Sequence, residues 1–168
     1  MEYRVICGDS DAELSALAPR TVDLVVTSPP YFQQREYGKE GLGNEATVEQ
    51  YLESIVTTFA KVLRAMKPTG NIVYNMGDKI IDGSMLLVPY RFALRVLEDY
   101  NLRLVNDITW VKSNPTPHQF SRRLIASTEP FFILRLVAIT ITTGRPSKGR
   151  IASGVQSQQK NLALSIGN

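Results

Sequence analysis

The segment TSPPYF, residues 27–32, places a hydroxyl, two consecutive prolines and an aromatic ring at the end of an apolar run. Pro29 and Pro30 cannot continue a central strand, because neither donates a backbone N–H. Their rings fix φ at roughly −65°, so the hydroxyl of Ser28 and the carbonyl of Pro29 are held as hydrogen-bond acceptors before a ligand arrives. Tyr31 adds a flat face for stacking. The residues therefore predict a rigid loop that positions polar acceptors beside an aromatic ring.

The elements that must carry this loop are apolar, β-branched runs that alternate with helical patterns. Residues 3–7, 22–27 and 71–77 predict adjacent strands, and their near-continuous apolar character is typical of parallel strands covered on both faces. Residues 48–66 repeat apolar side chains at helical spacing behind a TVEQ capping box. Strands alternating with helices predict an α/β fold with a mostly parallel sheet. Further patterns predict a helix over residues 88–100 and a strand over residues 102–112.

Polar residues follow three of these predicted strands. Asp9 comes after the first, Ser28 after the second, and Asn75, Gly77 and Asp78 come at the end of the third. Taken singly, Asp9 is typical of a helix N-cap, and Asn75 and Asp78 are typical of turns. Ligands bind to parallel α/β sheets beyond the carboxyl ends of the strands. The three positions together therefore predict one binding site.

Composition and charge narrow the class of protein. The chain has 168 residues, of which 43% are hydrophobic and 21% charged, which favours one folded domain over a disordered chain. Residues 1–100 carry a net charge of −4 and residues 101–168 a net charge of +7. The basic part indicates a nucleic-acid partner or, alternatively, a solvated basic surface. No apolar run reaches the roughly 18 residues of a membrane span, and the single Cys7 fits a reducing, cytoplasmic location.

These motifs resemble the amino-group DNA methyltransferases, which modify N4 of cytosine or N6 of adenine. TSPPYF is similar to the catalytic motif of that family, and the resemblance extends over residues 3–133. The similar segments include VICGDSDAELSAL, VDLVVTSPPY and DITWVKSNPTPHQFSRRLIASTEPFFI. Their order is that of permuted members, in which the catalytic motif comes early and a Gly-rich cofactor motif comes late. The resemblance implies a Rossmann-like, S-adenosylmethionine-dependent methyltransferase fold and a place in DNA methylation by a restriction–modification system.

The resemblance also implies a catalytic role for Ser28, Pro29, Pro30 and Tyr31. An exocyclic amino group is a poor nucleophile because its lone pair is delocalised into the ring. Acceptors at Ser28 and Pro29 would draw the lone pair out of conjugation. The target base leaves the duplex, at a cost of a few kcal/mol, and stacks on Tyr31. Serine at position 28 favours cytosine N4, since Asp-Pro-Pro-Tyr is the commoner family form for adenine N6.

Cofactor and DNA contacts are assigned in the same way. The resemblance implies S-adenosylmethionine as cofactor, double-stranded DNA as partner and a restriction endonuclease as functional partner. The single histidine has no companion cysteines, so no metal site is predicted. The basic residues around NPTP either contact DNA phosphates or form a solvated loop. The predicted cofactor residues are Asp9, Asn75, Gly77 and Asp78, and the predicted DNA-binding residues are Lys112, His118, Arg122 and Arg123.

Two features depart from the family pattern. A Gly-rich cofactor segment of the Phe-x-Gly-x-Gly type is missing, and GKEGLGNE at residues 38–45 precedes a helix without following a strand, which favours a loop over the site. Residues 137–168 resemble no family segment, and truncation or a frame shift near Ile133 would explain both features. We expect a partial catalytic domain over residues 1–136 and a tail of uncertain order over 137–168. The alternatives are a catalytically incomplete DNA-binding or pairing subunit and an RNA or protein methyltransferase.

We therefore expect residues 1–168 alone to bind S-adenosylmethionine weakly and to methylate DNA poorly. Asp9 and the strand ends around Ser28 and Asn75 supply one side of a cofactor pocket, and the other side needs a glycine turn that lets the backbone approach the ligand. Calorimetric titration of the chain with S-adenosylmethionine measures this affinity. Micromolar binding would contradict the expectation and would show a complete pocket.

Overall fold

The computed structural model describes residues 3–35, 41–114 and 124–137, which form an α/β fold. Its sheet and helices account for most of these residues. The elements are α1 (Ser10–Ala16), β1 (Val22–Thr27), α2 (Val48–Ala65), β2 (Met66–Asn75), β3 (Ile80–Ile81), β4 (Ser84–Met85), α3 (Val88–Asp99), β5 (Leu102–Val111) and β6 (Thr128–Leu136). The predicted tail falls almost wholly outside the described residues, so the division at residues 136 and 137 stays a prediction.

Four strands form the main sheet in the order β1-β2-β6-β5, and β3 pairs with β4 as a separate hairpin. β1 and β2 are parallel, whereas β6 is antiparallel to both β2 and β5. Three strands therefore run in one direction with β6 against them. The α/β class is confirmed, but the sheet is mixed: only one of its three described pairings is parallel. Antiparallel neighbours do not need the helical crossover that parallel strands require.

The predicted strand at residues 3–7 is wrong. This segment makes no ladder with any described strand, and the side chains of Tyr3 and Val5 are 90% and 89% exposed. An apolar, β-branched run becomes a strand only where a neighbour pairs with its backbone, and the described neighbour of β1 is β2. The prediction at residues 22–27 is confirmed, and that at residues 71–77 is confirmed as far as Asn75, since β2 runs from Met66 to Asn75.

Helix α2 is the main element that covers the sheet. Its predicted capping box is present, because Thr47 Oγ1 accepts from the Gln50 N–H at 3.2 Å and the Gln50 side chain accepts from the Thr47 N–H at 3.3 Å. Phe59 of α2 packs edge-on against the rings of Tyr74 and Phe92, at centroid distances of 5.4 and 5.5 Å, and those two rings stack on each other at 5.0 Å. This aromatic core joins α2, β2 and α3, and so fixes β2 beneath the two helices.

Within the described ranges, no helix is both long and apolar enough to cross a membrane.

A charged contact attaches α1 to α2. Asp11 accepts from Lys61 Nζ at 2.7 Å and from Thr58 Oγ1 at 2.7 Å. The hydrogen bond from Lys61 is the main reason why the pKa of Asp11 lies below its usual value, with burial opposing it. Because the folded-state pKa is lowered, the stabilisation is present above the unfolded value of about 3.9 and is lost as pH falls through the folded-state pKa.

We expect Asp11→Asn to lower the free energy of unfolding at pH 7 by up to about 1 kcal/mol, since the Asp11 side chain is 39% exposed and solvent screens the pair. The difference from the wild type should disappear in acid, below the folded-state pKa. Urea denaturation at a series of pH values measures both quantities. Asp23→Asn, which removes the partner of Lys67 at a more exposed position, is the matched control and should have a smaller effect. A constant difference at every pH would contradict the assignment.

Candidate active site

The register of β1 on β2 brings two predicted site residues together. Thr27 pairs with Tyr74 in the parallel ladder, so Ser28 and Asn75 follow side by side at the carboxyl ends of the two strands. Ser28 Oγ donates to Asn75 Oδ1 at 3.3 Å. The sequence predicted that these positions meet, and the geometry places them in direct contact.

The hydroxyl of Tyr31 lies at the centre of this polar group. It is 2.8 Å from Ser28 Oγ, 2.6 Å from Asn75 Oδ1 and 3.2 Å from Glu129 Oε2. The Asn75 amide nitrogen donates to the carbonyl of Pro130 at 3.2 Å, which leaves its Oδ1 as the acceptor toward the loop. Asn75 is buried and Ser28 is exposed, so the group extends from the sheet edge to solvent.

Glu129 is a member of this group that sequence reasoning missed. It is the second residue of β6, its side chain is 11% exposed, and its Oε1 accepts from Lys112 Nζ. Lys112 was predicted to contact DNA, and the structure directs its ammonium group to this carboxylate at the site. A single acidic residue at the head of a largely apolar strand was the available signal, because buried carboxylates are rare without a partner.

Pro30 and Phe32, in the second half of the motif, are held by contacts with the core. The carbonyl of Pro30 accepts from the Tyr51 hydroxyl at 2.8 Å, and Phe32 is buried against the Tyr51 ring at a centroid distance of 5.6 Å. Beyond the motif, Lys79 Nζ donates to the carbonyl of Gln33 at 2.7 Å. The prolines restrict the backbone dihedrals, and these contacts hold the loop in position. Together they fix the geometry of the loop.

Gly77 lies directly beneath the Tyr31 ring. It is buried, and a Cβ built on it would be 2.6 Å from Tyr31 Cδ2 and 2.7 Å from Cε2. Real side chains do not approach so closely, so the ring occupies the space that any other residue at position 77 would need. Gly77 thus contacts the predicted catalytic tyrosine.

The two predicted acidic cofactor residues cap helices. Asp78 accepts from the backbone N–H groups of Lys79, Leu87 and Val88 at 2.9 to 3.0 Å, which engages both carboxylate oxygens at the start of α3. Asp9 is the N-cap of α1 and accepts from the Ala12 N–H at 3.0 Å through one oxygen. Their contribution to cofactor binding stays a prediction.

Three predicted DNA-binding residues, His118, Arg122 and Arg123, lie outside the described residues, so their role also stays a prediction. Over residues 3–35, 41–114 and 124–137, no group of three or more His, Cys, Asp or Glu side chains could hold a metal ion.

Solved structures with the same arrangement of elements are methyltransferases. The PvuII DNA methyltransferase, a cytosine-N4-specific enzyme, superposes with a TM-score of 0.60 at 23% identity over 76% of this chain and 47% of that one. TTHA0409 of Thermus thermophilus, a putative DNA modification methylase crystallised with S-adenosyl-L-methionine, superposes with a TM-score of 0.59 at 24% identity over 84% of this chain and 55% of that one. The fold is therefore that of S-adenosylmethionine-dependent methyltransferases, as predicted.

The family itself is defined by sequence. The N6_N4_Mtase family model, described as DNA methylase, matches residues 22–143. The chain belongs to this family, which confirms the predicted resemblance. It is 32% identical over 151 residues to the type II methyltransferase M.SfiI of Streptomyces fimbriatus and 30% identical over 135 residues to M.MwoI of Methanothermobacter wolfeii. These matches cover 79% and 77% of this chain but only 36% and 20% of the relatives, so the chain spans about a third or less of their length.

We expect Gly77→Ala to displace the Tyr31 ring and to lower the free energy of unfolding by about 1 to 3 kcal/mol, as overpacking of a buried contact does. Urea denaturation measures the stability, and 13C-tyrosine NMR measures the displacement of the ring. Gly8→Ala is the matched control, because the added Cβ would meet only the flexible side chain of Glu13 on the exposed α1. An unchanged Tyr31 resonance in Gly77→Ala would show that the ring does not pack on this glycine.

Proposed function

We propose that this chain carries the catalytic loop of a DNA methyltransferase that transfers a methyl group from S-adenosylmethionine to the exocyclic amino group of a flipped base. The observation that carries the proposal is the hydrogen-bonded contact of Ser28, Tyr31 and Asn75 at the carboxyl ends of two parallel strands. This is the edge where ligands of open α/β sheets bind. Membership in the family of DNA methylases supports the same reaction.

The loop residues have distinct roles in this proposal. The hydroxyl of Ser28 and the carbonyl of Pro29 accept the two hydrogens of the target amino group, which localises the nitrogen lone pair for attack. The rigid backbone supplies these acceptors in place, because Pro30 is tied to Tyr51 of α2. Tyr31 presents its ring to the base and shields one side of it from water. The product nitrogen loses a proton on methylation, and the exposed Ser28 lies where solvent can take it.

The residues of the site fit S-adenosylmethionine in part. When bound, this cofactor supplies an electrophilic methyl group on a positively charged sulfonium. Asp9 is exposed and uses one carboxylate oxygen for the α1 cap, so it can still accept from a cationic ligand. Asn75 lies at the sheet edge beside the loop. The carboxylate of Asp78 accepts from three backbone N–H groups through both of its oxygens, so it has less capacity to accept from a ligand than Asp9 has.

Cytosine N4 is the favoured target over adenine N6. Serine at position 28 supports this preference, because Asp-Pro-Pro-Tyr is the commoner form of the motif for adenine N6 in the family that the sequence resembles. PvuII methyltransferase, which shares the fold, is named as cytosine-N4-specific. We further propose double-stranded DNA as the partner, a restriction endonuclease as functional partner, and a cytoplasmic location. The net charge of +7 on residues 101–168 supports the DNA assignment.

A second candidate is a DNA-binding or pairing subunit that retains the fold without catalysis. The chain spans about half of the length of the solved methyltransferases that it resembles. Titration with S-adenosylmethionine distinguishes the two, since a pairing subunit does not need to bind the methyl donor.

We expect Tyr31→Ala and Pro29→Ala each to reduce methyl transfer at least about 100-fold in any active form of the protein, because the first removes the ring that stacks on the base and the second releases the backbone that holds the acceptor carbonyl. Mass spectrometry of digested DNA measures the product and separates N4-methylcytosine from N6-methyladenine. Tyr3→Ala and Pro19→Ala, at exposed positions away from the loop, are the matched controls and should retain activity. Wild-type turnover by either loop variant would overturn the catalytic assignment, and N6-methyladenine as the product would overturn the preferred base.

A further inference from the structure

The ion pair of Lys112 and Glu129 lies beside the loop, and stabilisation of the fold does not explain its position. Glu129 is largely buried, and the side chain of Lys112 is 34% exposed. Removing such charges from water costs free energy that their attraction rarely repays, so a buried pair is weak evidence for stability. Among the ion pairs of the described residues, this is the one with a buried carboxylate, and that carboxylate contacts the catalytic motif. The position of this ion pair beside the loop therefore points to a role in the site and not in folding stability.

The contact with Tyr31 indicates that role. A phenol has one proton, and here three acceptors lie within reach of it: Asn75 Oδ1 at 2.6 Å, Ser28 Oγ at 2.8 Å and Glu129 Oε2 at 3.2 Å. Asn75 approaches from β2 and Glu129 from β6, so the hydroxyl is fixed between two strands of the sheet. A hydrogen bond to an ionised acceptor is stronger than one to a neutral acceptor. Glu129 thus limits the rotation of the ring, whose other side packs on Gly77.

Lys112 in turn determines where the carboxylate of Glu129 points. Its ammonium binds Oε1, which leaves Oε2 directed to Tyr31. The ammonium also lies 5.9 Å from the centroid of the Trp110 ring, a cation–π contact that holds it at the end of β5. The two oxygens of one carboxylate therefore bind the cation and the catalytic tyrosine separately.

We propose that Glu129 is a positioning residue for Tyr31, and that Lys112 holds Glu129 in the orientation that this requires. The inference rests on the proposed function, because Tyr31 is there the ring that receives the target base. Glu129 does not touch the base: it sets the ring position through the hydroxyl. Lys112 accordingly contributes to methyl transfer from within the site, in addition to any contact with DNA.

The first experiment reads the position of Tyr31 without any need for activity. In protein labelled with 13C at the tyrosine Cζ, the Tyr31 signal is assigned by its loss in Tyr31→Phe. We expect Glu129→Gln and Lys112→Met to shift this signal, because the first removes the charge of the acceptor and the second releases the carboxylate. Asp23→Asn, which breaks an ion pair in the same sheet away from the site, should leave it in place. Denaturation curves show that each variant is folded.

The second experiment measures methyl transfer to unmethylated genomic DNA, which needs no knowledge of the recognition sequence. We expect Glu129→Gln to lower kcat about tenfold with a change in the KM for DNA of less than about threefold. Lys112→Arg should recover part of the activity that Lys112→Met loses, since it retains a cation for the carboxylate. In a Tyr31→Phe background, which has no hydroxyl, Glu129→Gln should cause little further loss, because residues that act as a unit are not additive.

The outcomes separate this proposal from the function on which it rests. An unshifted Tyr31 signal in Glu129→Gln would overturn the positioning role, whether or not the chain is active. Additive losses of kcat in the double variant would overturn it as well. A shifted signal in a chain that transfers no methyl group to any DNA would support the contact and count against the proposed activity. A shifted signal with non-additive losses supports both.

Discussion

The parallel register of β1 on β2 is the constraint on which the site depends. Pairing of Thr27 with Tyr74 puts Ser28, which directly follows β1, level with Asn75, the last residue of β2, and both residues are polar. A shift of one residue would turn each side chain to the opposite face of the sheet. The buried residues of β2, among them Ile72 and Tyr74, prevent that shift because they pack against α2 and α3. The aromatic core thus fixes the register, and the register aligns the polar residues.

The antiparallel direction of β6 explains why the ion pair of Lys112 and Glu129 lies at the site. Asn75 at the carboxyl end of β2 pairs with Phe131 near the amino end of β6. Glu129 therefore lies at the same edge as Ser28, whereas a parallel strand would have placed its last residues there. Because β5 is antiparallel to β6, its final residues also reach this edge, and Lys112 follows directly after Val111. One reversed strand accounts for both members of the ion pair.

The sequence predicted the parts of this arrangement that depend on local pattern. The capping box and apolar spacing of α2, the strand before Ser28, and the strand before Gly77 are all present. A pattern of apolar residues carries no information about strand direction or partner, so it could not predict the reversal of β6 or the lack of pairing at residues 3–7. Glu129 and Tyr31 are 98 residues apart in sequence, and only the folded sheet brings them into contact.

The residues of the predicted catalytic motif are unevenly buried, and this has a consequence for evolution. Pro30 and Phe32 share their contacts with the core, so a substitution there changes the stability of the whole domain as well as the loop. Ser28 is the exposed residue of the motif. Under the proposed function, in which position 28 contacts the target amino group, selection for a different base can act there at little cost to folding. A lineage that kept Pro30 and Phe32 would then change its chemistry by exchanging one surface side chain.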